Sequence, residues 1–364
     1  MISRGTIVLA IFAIIVAAII GLSQFVQNQP PMEINIAVNP MAEDWMRAVV
    51  ADFNASDALV NGTTRVTVNL TTTSDIAVWD EHVKWSSSDH PDAWLPASSA
   101  SVSYINSNIP FQTIANSTAQ TPLVWGGFQS RVDILSADGI LDWDTVAQAV
   151  QTNDGNWAAL GGESGWGFLK LAYARPSNTI AGLAVLFSGA GEFAGSTTLD
   201  RNQVLDSDFN AWMEAIVASV PNFQTLGSNP AAAMASRGTS VAEIALLPEV
   251  LWLNSLSDLN KSDPITFSYP ATQFILDFPL AMWDDNNTDD TTKLAVQAFA
   301  DYVTGVGQKT VAKYGLRPIS GEVTSTDSLF ADGVSFGILL EPDYGQIVTA
   351  PDKNTTETLI ERFG

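Results

Sequence analysis

The sequence predicts an α/β fold with two lobes, each an open, mostly parallel sheet flanked by helices, preceded by one N-terminal hydrophobic helix. Strand-like and helical segments alternate from residue 33 to residue 106, a pattern typical of parallel sheets. More than 300 of the 364 residues follow residue 31, which is enough chain for two domains. Two long extended runs, at residues 121–135 and 265–281, are suited to carry the chain between the lobes.

The positions of these runs divide the chain. We expect the first lobe to contain residues 32–127 and 272–364, and the second lobe to contain residues 128–271. The 31 residues before them form a leader with a tether.

In the first lobe, apolar residues recur every second position in the strands and every third or fourth position in the helices. Ile34, Ile36 and Val38 share one face of the first strand. The pattern predicts strands at residues 33–39, 65–70 and 92–96, and helices at residues 42–54, at 74–85, and from about 99 to 106.

The second lobe begins with a helix at residues 142–151, for which Asp142 is a plausible cap. Further strands are predicted at residues 168–173 and 241–247, and further helices at residues 180–187, at 206–220 and from 248 onward. A long helix at residues 291–314 ends at Gly315, which suits a C-terminal cap. The last fifty residues, with three prolines, predict an irregular segment over the first lobe.

The N-terminus carries a membrane-directing segment. Residues 6–22 are almost wholly apolar, without charge or proline, and follow Arg4. This length lies between a secretory h-region and a full span of about 20 residues, so the segment is either a cleaved signal peptide or a signal anchor. Both alternatives place the rest of the chain on the extracytoplasmic face of the membrane, secreted or anchored, with Arg4 in the cytoplasm.

Composition excludes several kinds of chemistry. The chain has no cysteine, so thiol catalysis, disulfides and a lipidated cysteine anchor are excluded. Two histidines leave little material for imidazole chemistry. The net charge of -23 argues against nucleic acid as a partner, because backbone binding requires a basic face.

Five short motifs carry a family resemblance over most of residues 34–320: PDAWLPASS at 91–99, PLVW at 122–125, YARPS at 173–177 leading to Gly182, DFPLA at 277–281 and YGLRP at 314–318. In order and spacing they resemble extracellular solute-binding proteins of the type II periplasmic-binding fold. The similarity is greatest to the bacterial subgroup often associated with von Willebrand factor A domains, although no such domain is present. The resemblance implies capture of a small solute and an ABC-type permease as a partner.

Ligands of open α/β sheets bind beyond the carboxyl ends of the strands. Asn39 and Met41 follow the first strand, and Ser98 and Ser99 follow the third. The two serine hydroxyls are suited to an oxyanion or a sugar. Helix capping is the alternative role for both serines.

Residues before the apolar helix at 180–187 form the second half of the predicted site. Ser177 and Thr179 precede free helix amides, which favour an anion or a polar oxygen. Arg175 adds a charged fork. The alternative is that Ser177 or Asn178 only caps the helix and that Arg175 forms a surface or interlobe salt bridge.

Three further residues are candidates for ligand contact. Glu249 follows the last strand of the second lobe and is suited to a cationic or hydroxylated ligand, or is an ordinary residue of a helix start. Trp125 and Tyr269 lie on the two crossing runs, where their rings line the cleft or pack at the hinge.

We predict no metal site and no cofactor. The acidic run at residues 284–290 lacks the central glycine and the closing glutamate of a calcium loop, so a solvated loop before a helix is expected. His82 and His90 are eight residues apart, a spacing that fits no short ligand motif.

The sequence favours a solute-binding protein without enzymatic activity. Two other functions stay open. A membrane-tethered sensor or interaction domain would keep the fold without transport, and a hydrolase or transferase would use carboxylates such as Glu163 or Glu249.

Overall fold

The computed structural model describes residues 9, 11–17, 29–105, 108–259 and 263–364. Residue 9 and residues 11–17 are helical. Most of the predicted leader, residues 6–22, lies outside the described residues. Within the described part of the chain, no helix has both the length and the apolar character that a membrane span requires.

Six strands form the first sheet, in the order β2-β3-β1-β4-β12-β5. We call this sheet, with the helices packed on it, the first lobe. Its strands are β1 (Met32–Val38), β2 (Leu59–Val60), β3 (Thr64–Thr72), β4 (Ala93–Leu95), β5 (Phe111–Ala115) and β12 (Leu280–Trp283).

A second sheet has the order β10-β7-β9-β8 and belongs to the second lobe. Its strands are β7 (Leu123–Phe128), β8 (Leu171–Ala172), β9 (Ile244–Pro248) and β10 (Ile265–Ser268). Short strands pair elsewhere: β6 (Ala119–Gln120) with β13 (Arg317–Pro318), and β11 (Thr272–Gln273) with β14 (Gln346–Ile347).

The sheets are open, as expected, but their pairing is mixed. β1 pairs in parallel with β3 and β4, and β8 pairs in parallel with β9. Besides the local antiparallel pair β2–β3, the antiparallel pairs of the two sheets involve strands that leave or enter a lobe, since β7 opposes both β9 and β10, and β12 opposes both β4 and β5. A strand that arrives by a long crossing is free to run against its neighbours, because no βαβ crossover dictates its direction.

Helices cover both sheets. They are α1 (Glu43–Ala55), α2 (Asp75–Trp79), α3 (Ser99–Tyr104), α4 (Gln129–Leu135), α5 (Trp143–Gln151), α6 (Trp157–Leu160), α7 (Ile180–Ala194), α8 (Arg201–Leu205), α9 (Ser207–Ala218), α10 (Phe223–Leu226), α11 (Pro230–Arg237), α12 (Glu249–Leu259), α13 (Asp290–Thr304), α14 (Ser328–Val334) and α15 (Lys353–Phe363).

The apolar pattern of the first lobe places its core correctly. Ile34, Ile36 and Val38 are fully buried. On α1, Phe53 is buried and its ring packs edge-on against Phe299 of α13 at 5.2 Å. The apolar face of β1 and the apolar face of α1 therefore belong to the same hydrophobic core.

Several element predictions were wrong. The helix predicted at residues 74–85 ends at Trp79, and the strand predicted at residues 168–173 is only Leu171–Ala172. The extended run was predicted to continue to residue 135, but residues 129–135 form α4, whose buried Arg131 and Val132 lie on one side of a helix. The long helix at 291–314 is α13 followed by a 3-10 segment at Val306–Tyr314, because Gly305 breaks the α-helical geometry. The last fifty residues contain α14 and α15, and so are not wholly irregular.

The C-terminal segment contacts both lobes. In the first lobe, the Tyr104 hydroxyl donates to the Pro351 carbonyl and lies 2.9 Å from the Thr356 hydroxyl on α15. In the second lobe, Arg362 Nη1 donates to Asn210 Oδ1 at 2.7 Å. α15 therefore joins the lobes without being part of either sheet.

Gly182 allows α7 to begin close to the preceding chain. A Cβ at this position would lie 2.0 Å from the Ala174 carbonyl oxygen, which is a backbone atom and cannot rotate away. We expect Gly182→Ala to lower the free energy of unfolding by at least about 2 kcal/mol, because overpacking displaces the helix start.

Urea denaturation measures this loss. Gly165→Ala is the matched control, since no atom lies within 4 Å of its added Cβ. Equal effects of the two substitutions would contradict the close approach at Gly182.

Candidate functional site

A cavity of about 260 Å³ lies between the two lobes, and we call it the cleft cavity. Residues after β1 and β3 line it from the first lobe, and residues of three helix starts line it from the second. The lining residues are Asn39, Pro40, Met41, Ser74, Asn178, Thr179, Ile180, Ala181, Ser228, Asn229 and Leu251. Both sheets thus contribute to one space, as the strand-end rule predicts.

Polar side chains cap several helix starts at this cavity. Asn39 Oδ1 accepts from the Met41 amide at 2.9 Å, Thr179 Oγ1 accepts from the Gly182 amide at 3.1 Å, and Asn229 Oδ1 accepts from the Ala232 amide at 3.1 Å. First-turn amides have no partner within their own helix. On α7, which has 15 residues, the first-turn residues Ile180 and Ala181 line the cavity.

An adjoining cavity of about 230 Å³ extends this space, and we call it the Arg175 cavity. It shares Asn178, Thr179 and Ser228 with the cleft cavity. The Arg175 guanidinium lies 5.6 Å from the Phe223 ring centroid, and its buried Nε has no hydrogen-bond acceptor. Among the described residues, no carboxylate forms an ion pair with Arg175, and none lines either cavity.

Asp75 lies behind the cleft cavity and is fully buried. Its carboxylate accepts from Asn39 Nδ2 at 2.7 Å, from the Ala97 amide at 2.9 Å and from the Ser101 hydroxyl at 2.7 Å. Desolvation by burial outweighs these bonds and raises the pKa of Asp75 to about 6. This carboxylate holds Asn39 in place but is not accessible to a ligand.

Ser98 and Ser99 do not line the cleft cavity. They line a separate cavity of about 520 Å³. We call it the hinge cavity because Phe274, Ile275 and Asp277, which lie between β11 and β12, form one of its walls. Ser98 is buried and its hydroxyl accepts from the Ala100 amide at 3.3 Å, so it caps α3. The Ser99 amide donates to Asp277 Oδ1 at 2.8 Å.

Glu249 forms a buried ion pair with Arg317, and Tyr269 is hydrogen-bonded to Glu249. Glu249 is fully buried, and Arg317 donates to its two oxygens at 2.6 and 2.7 Å. The Tyr269 hydroxyl donates to Glu249 Oε1. Neither residue lines the cleft cavity or the Arg175 cavity. In the structure Glu249 contacts Arg317 and not a cavity, because an ionised group inside the protein needs a partner.

Trp125 and Ser177 also lie away from these cavities. Trp125 is fully buried in β7, and its ring packs edge-on against Trp143 at 5.1 Å. Of the two roles considered for this ring, packing in the interior and not lining the cleft is the one that the structure shows. Ser177 Oγ lies 3.3 Å from Asn178 Oδ1, and Thr179, not Ser177, caps α7.

The acidic run at 284–290 contains the N-terminal cap of α13, Asp289. Asp289 Oδ1 accepts from the Thr291 and Thr292 amides at 2.8 and 3.0 Å, and Asp284 forms an ion pair with Lys293 at 2.6 Å. His90 stacks on Trp283 at 3.9 Å. In the part of the chain that the structure describes, no group of three or more His, Asp or Glu is arranged to hold a metal ion.

The sequence prediction missed several lining residues. Ser74, Asn178, Ser228 and Asn229 line the cleft cavity but were not candidates for ligand contact. Asn229 was detectable, since it precedes Pro230, and an N-cap residue followed by proline is a helix-start signal. Asp75 lies at the start of the helix predicted at residues 74–85, and no sequence signal distinguishes it from an ordinary carboxylate of a helix start.

Asp75 predicts a measurable dependence of stability on pH. Its pKa is about 6 in the folded protein against an ordinary value of 3.8. Between these values the folded state binds the extra proton, so the contribution of Asp75 to stability is greatest below pH 4 and falls as the pH rises to 6. The loss should be about 3 kcal/mol.

Denaturation of the wild type and Asp75→Asn at pH 4, 5, 6 and 7 isolates this effect, because the other carboxylates cancel in the difference. The advantage of the wild type over the variant should narrow as the pH rises. A difference that stays constant would argue against the raised pKa.

The ion pair of Glu249 predicts a large cost when one partner is removed. In Arg317→Met the buried Glu249 loses its cation, so the free energy of unfolding should fall by about 3–5 kcal/mol. The matched control is Arg47→Met, which breaks an exposed pair with Glu43 in which the Arg47 side chain is 60% exposed. It should cost less than about 1 kcal/mol. Similar losses in urea denaturation would contradict the assignment.

The fold has known counterparts, although no protein-family model and no curated protein matches this sequence. It is similar to the sulfate-binding protein SubI from Mycobacterium tuberculosis H37Rv, with TM-score 0.57, 13% identity and coverage of 87% of this chain and 94% of that one. It is also similar to a putative extracellular solute-binding protein from Bordetella parapertussis, with TM-score 0.59, 10% identity and coverage of 91% of this chain and 97% of that one. A periplasmic thiamin binding protein is similar with TM-score 0.55, 9% identity and coverage of 92% of this chain and 95% of that one. The chain therefore has the two-lobed type II periplasmic-binding fold.

Proposed function

We propose that this chain is an extracytoplasmic solute-binding protein that captures a small ligand in the cleft cavity between its lobes. The observation that carries the proposal is the shared lining: Asn39 and Ser74 come from the first lobe, and Thr179 and Asn229 from the second. A ligand held by both lobes favours their closed arrangement over an open one. The structural neighbours that bind sulfate and thiamin support this role.

The ligand carries an anionic group. Arg175 supplies a positive charge that no described carboxylate neutralises, although the whole chain has 39 acidic residues against 16 basic ones. The first-turn amides of α7 add partial positive charge from the same side. A carboxylate or an oxyanion would satisfy Arg175 and these amides together.

The domain and membrane assignments complete the proposal. The proposed lobes are residues 32–127 with 272–364 and residues 128–271, with the boundary moved so that β7 (Leu123–Phe128) belongs to the second lobe, whose sheet contains it. Residues 6–22 anchor the chain to the membrane or direct its secretion; exposed apolar side chains such as Phe12, which is 68% exposed, support this. An ABC-type permease is the proposed partner. We also propose that the chain is related to the subgroup of solute-binding proteins often associated with von Willebrand factor A domains.

A ligand screen tests the proposal directly. The full chain, in a mild detergent, is heated with sulfate, phosphate, succinate and glucose. A ligand that binds the folded state adds RT ln(1 + [L]/Kd), about 2.7 kcal/mol at a hundredfold excess over Kd. We expect the melting temperature to rise with at least one of the anions and not with glucose.

Arg175→Gln identifies the site within this experiment. It should weaken binding of the anion at least tenfold, because it removes the positive charge of the Arg175 cavity, which adjoins the cleft cavity. Arg201→Gln is the matched control, an exposed arginine of α8 in the same lobe. If no compound raises the melting temperature, a membrane-tethered sensor or interaction domain becomes the favoured function. Equal anion binding by both variants would overturn the role of Arg175.

A further inference from the structure

The hinge cavity is separate from the cleft cavity. The two have no lining residue in common. Asp75 lies in the wall between them, since it is bonded to Asn39 on the side of the cleft cavity and to Ala97, which precedes Ser98, on the side of the hinge cavity. With about 520 Å³, the hinge cavity is large enough for a small organic molecule.

Asp277 gives the hinge cavity a negative charge. The side chain lines the cavity, and Oδ1 accepts from the Ser99 amide at 2.8 Å. In the described part of the chain, no lysine, arginine or histidine lines the cavity, and Asp277 has no cationic partner. Burial raises the pKa of Asp277, as expected for a carboxylate that lacks a neutralising charge.

The residue after Asp277 has an unfavourable backbone conformation. Phe278 has a φ of 42°, in the left-handed region, although it is a bulky residue and fully buried. The Ala97 carbonyl accepts from the amides of Asp277 and Phe278 at 3.0 and 3.2 Å. The Thr118 amide and hydroxyl donate to the Phe278 carbonyl at 2.9 and 2.7 Å. These bonds fix the position from which Asp277 faces the cavity, and strain of this kind is concentrated at functional sites.

The rest of the lining is partly apolar. Phe274 and Ile275 come from the crossing between the lobes, and Val348 and Ala350 come from the C-terminal segment. The Val348 amide donates to the Gln273 carbonyl at 2.8 Å, which keeps these two walls together. Such a lining suits a short hydrocarbon chain beside the carboxylate.

From this arrangement we infer that the hinge cavity is a second binding site, for a small organic cation with a protonated amine and a short apolar chain. The ammonium group donates to Asp277, and the chain packs on Phe274 and Val348. The site differs in charge preference from the cleft cavity, so the two ligands do not compete for the same position.

Three probes of one size test the inference by titration calorimetry on the full chain: n-butylammonium, 1-butanol and butyrate. The cation should bind at least tenfold more tightly than the alcohol, because only the cation neutralises Asp277. Butyrate should bind least at this site. Equal binding of the cation and the alcohol, or no binding of the cation, would overturn the inference, and neither result depends on a variant.

Variants then locate the site. Asp277→Asn keeps an oxygen for the Ser99 amide but removes the charge, so it should weaken n-butylammonium binding at least tenfold and leave 1-butanol unchanged. Asp332→Asn, an exposed carboxylate on α14, is the control and should have no effect. A variant Asp277→Asn that is folded by circular dichroism and binds the cation normally would also overturn the inference.

The cleft variant separates this result from the proposed function. Arg175→Gln should bind n-butylammonium as the wild type does, and sulfate should not displace the cation. Displacement by sulfate together with loss in Arg175→Gln would mean that the cation occupies the cleft cavity, which contradicts a second site.

Discussion

The buried carboxylate of Asp75 is the interaction on which both cavities depend. It receives hydrogen bonds from the residue that follows β1, from the chain that follows β4 and from α3. Because Asp75 itself follows β3, its side chain links three strand-to-helix connections of the first lobe, those after β1, β3 and β4. Burying this charge costs free energy, and the donors around it offset only part of the cost, as its raised pKa indicates.

This arrangement divides the space between the lobes by charge. On one side, Arg175 and helix amides face cavities without a carboxylate among their described lining residues. On the other side, Asp277 faces a cavity without a described basic residue. In a chain with a net charge of -23, local contacts must define the preference of each cavity, because the field of the whole surface repels every anion.

Sequence patterns predicted the lobes and much of the cleft, since strand ends and helix starts are encoded locally. Asn39, Met41 and Thr179 lie there for this reason. The separation of Ser98 and Ser99 into another cavity depends on Asp75 and Asp277, which are far apart in sequence. The partner of Glu249 was equally hidden, because Arg317 lies 68 residues away. Trp125 could not be assigned, since a ring on a crossing strand suits a core and a cleft alike.

The brace formed by α15 affects the energetics of lobe movement. Its hydrogen bonds reach Tyr104 in one lobe and Asn210 in the other, beside the covalent crossings. Separation of the lobes must break one set of these bonds or bend the chain before Lys353. If the lobes separated in this way, the chain would lose contacts that no ligand provides, so the bonds of α15 favour the present arrangement of the lobes. A ligand then needs less of its own binding free energy to complete the closure.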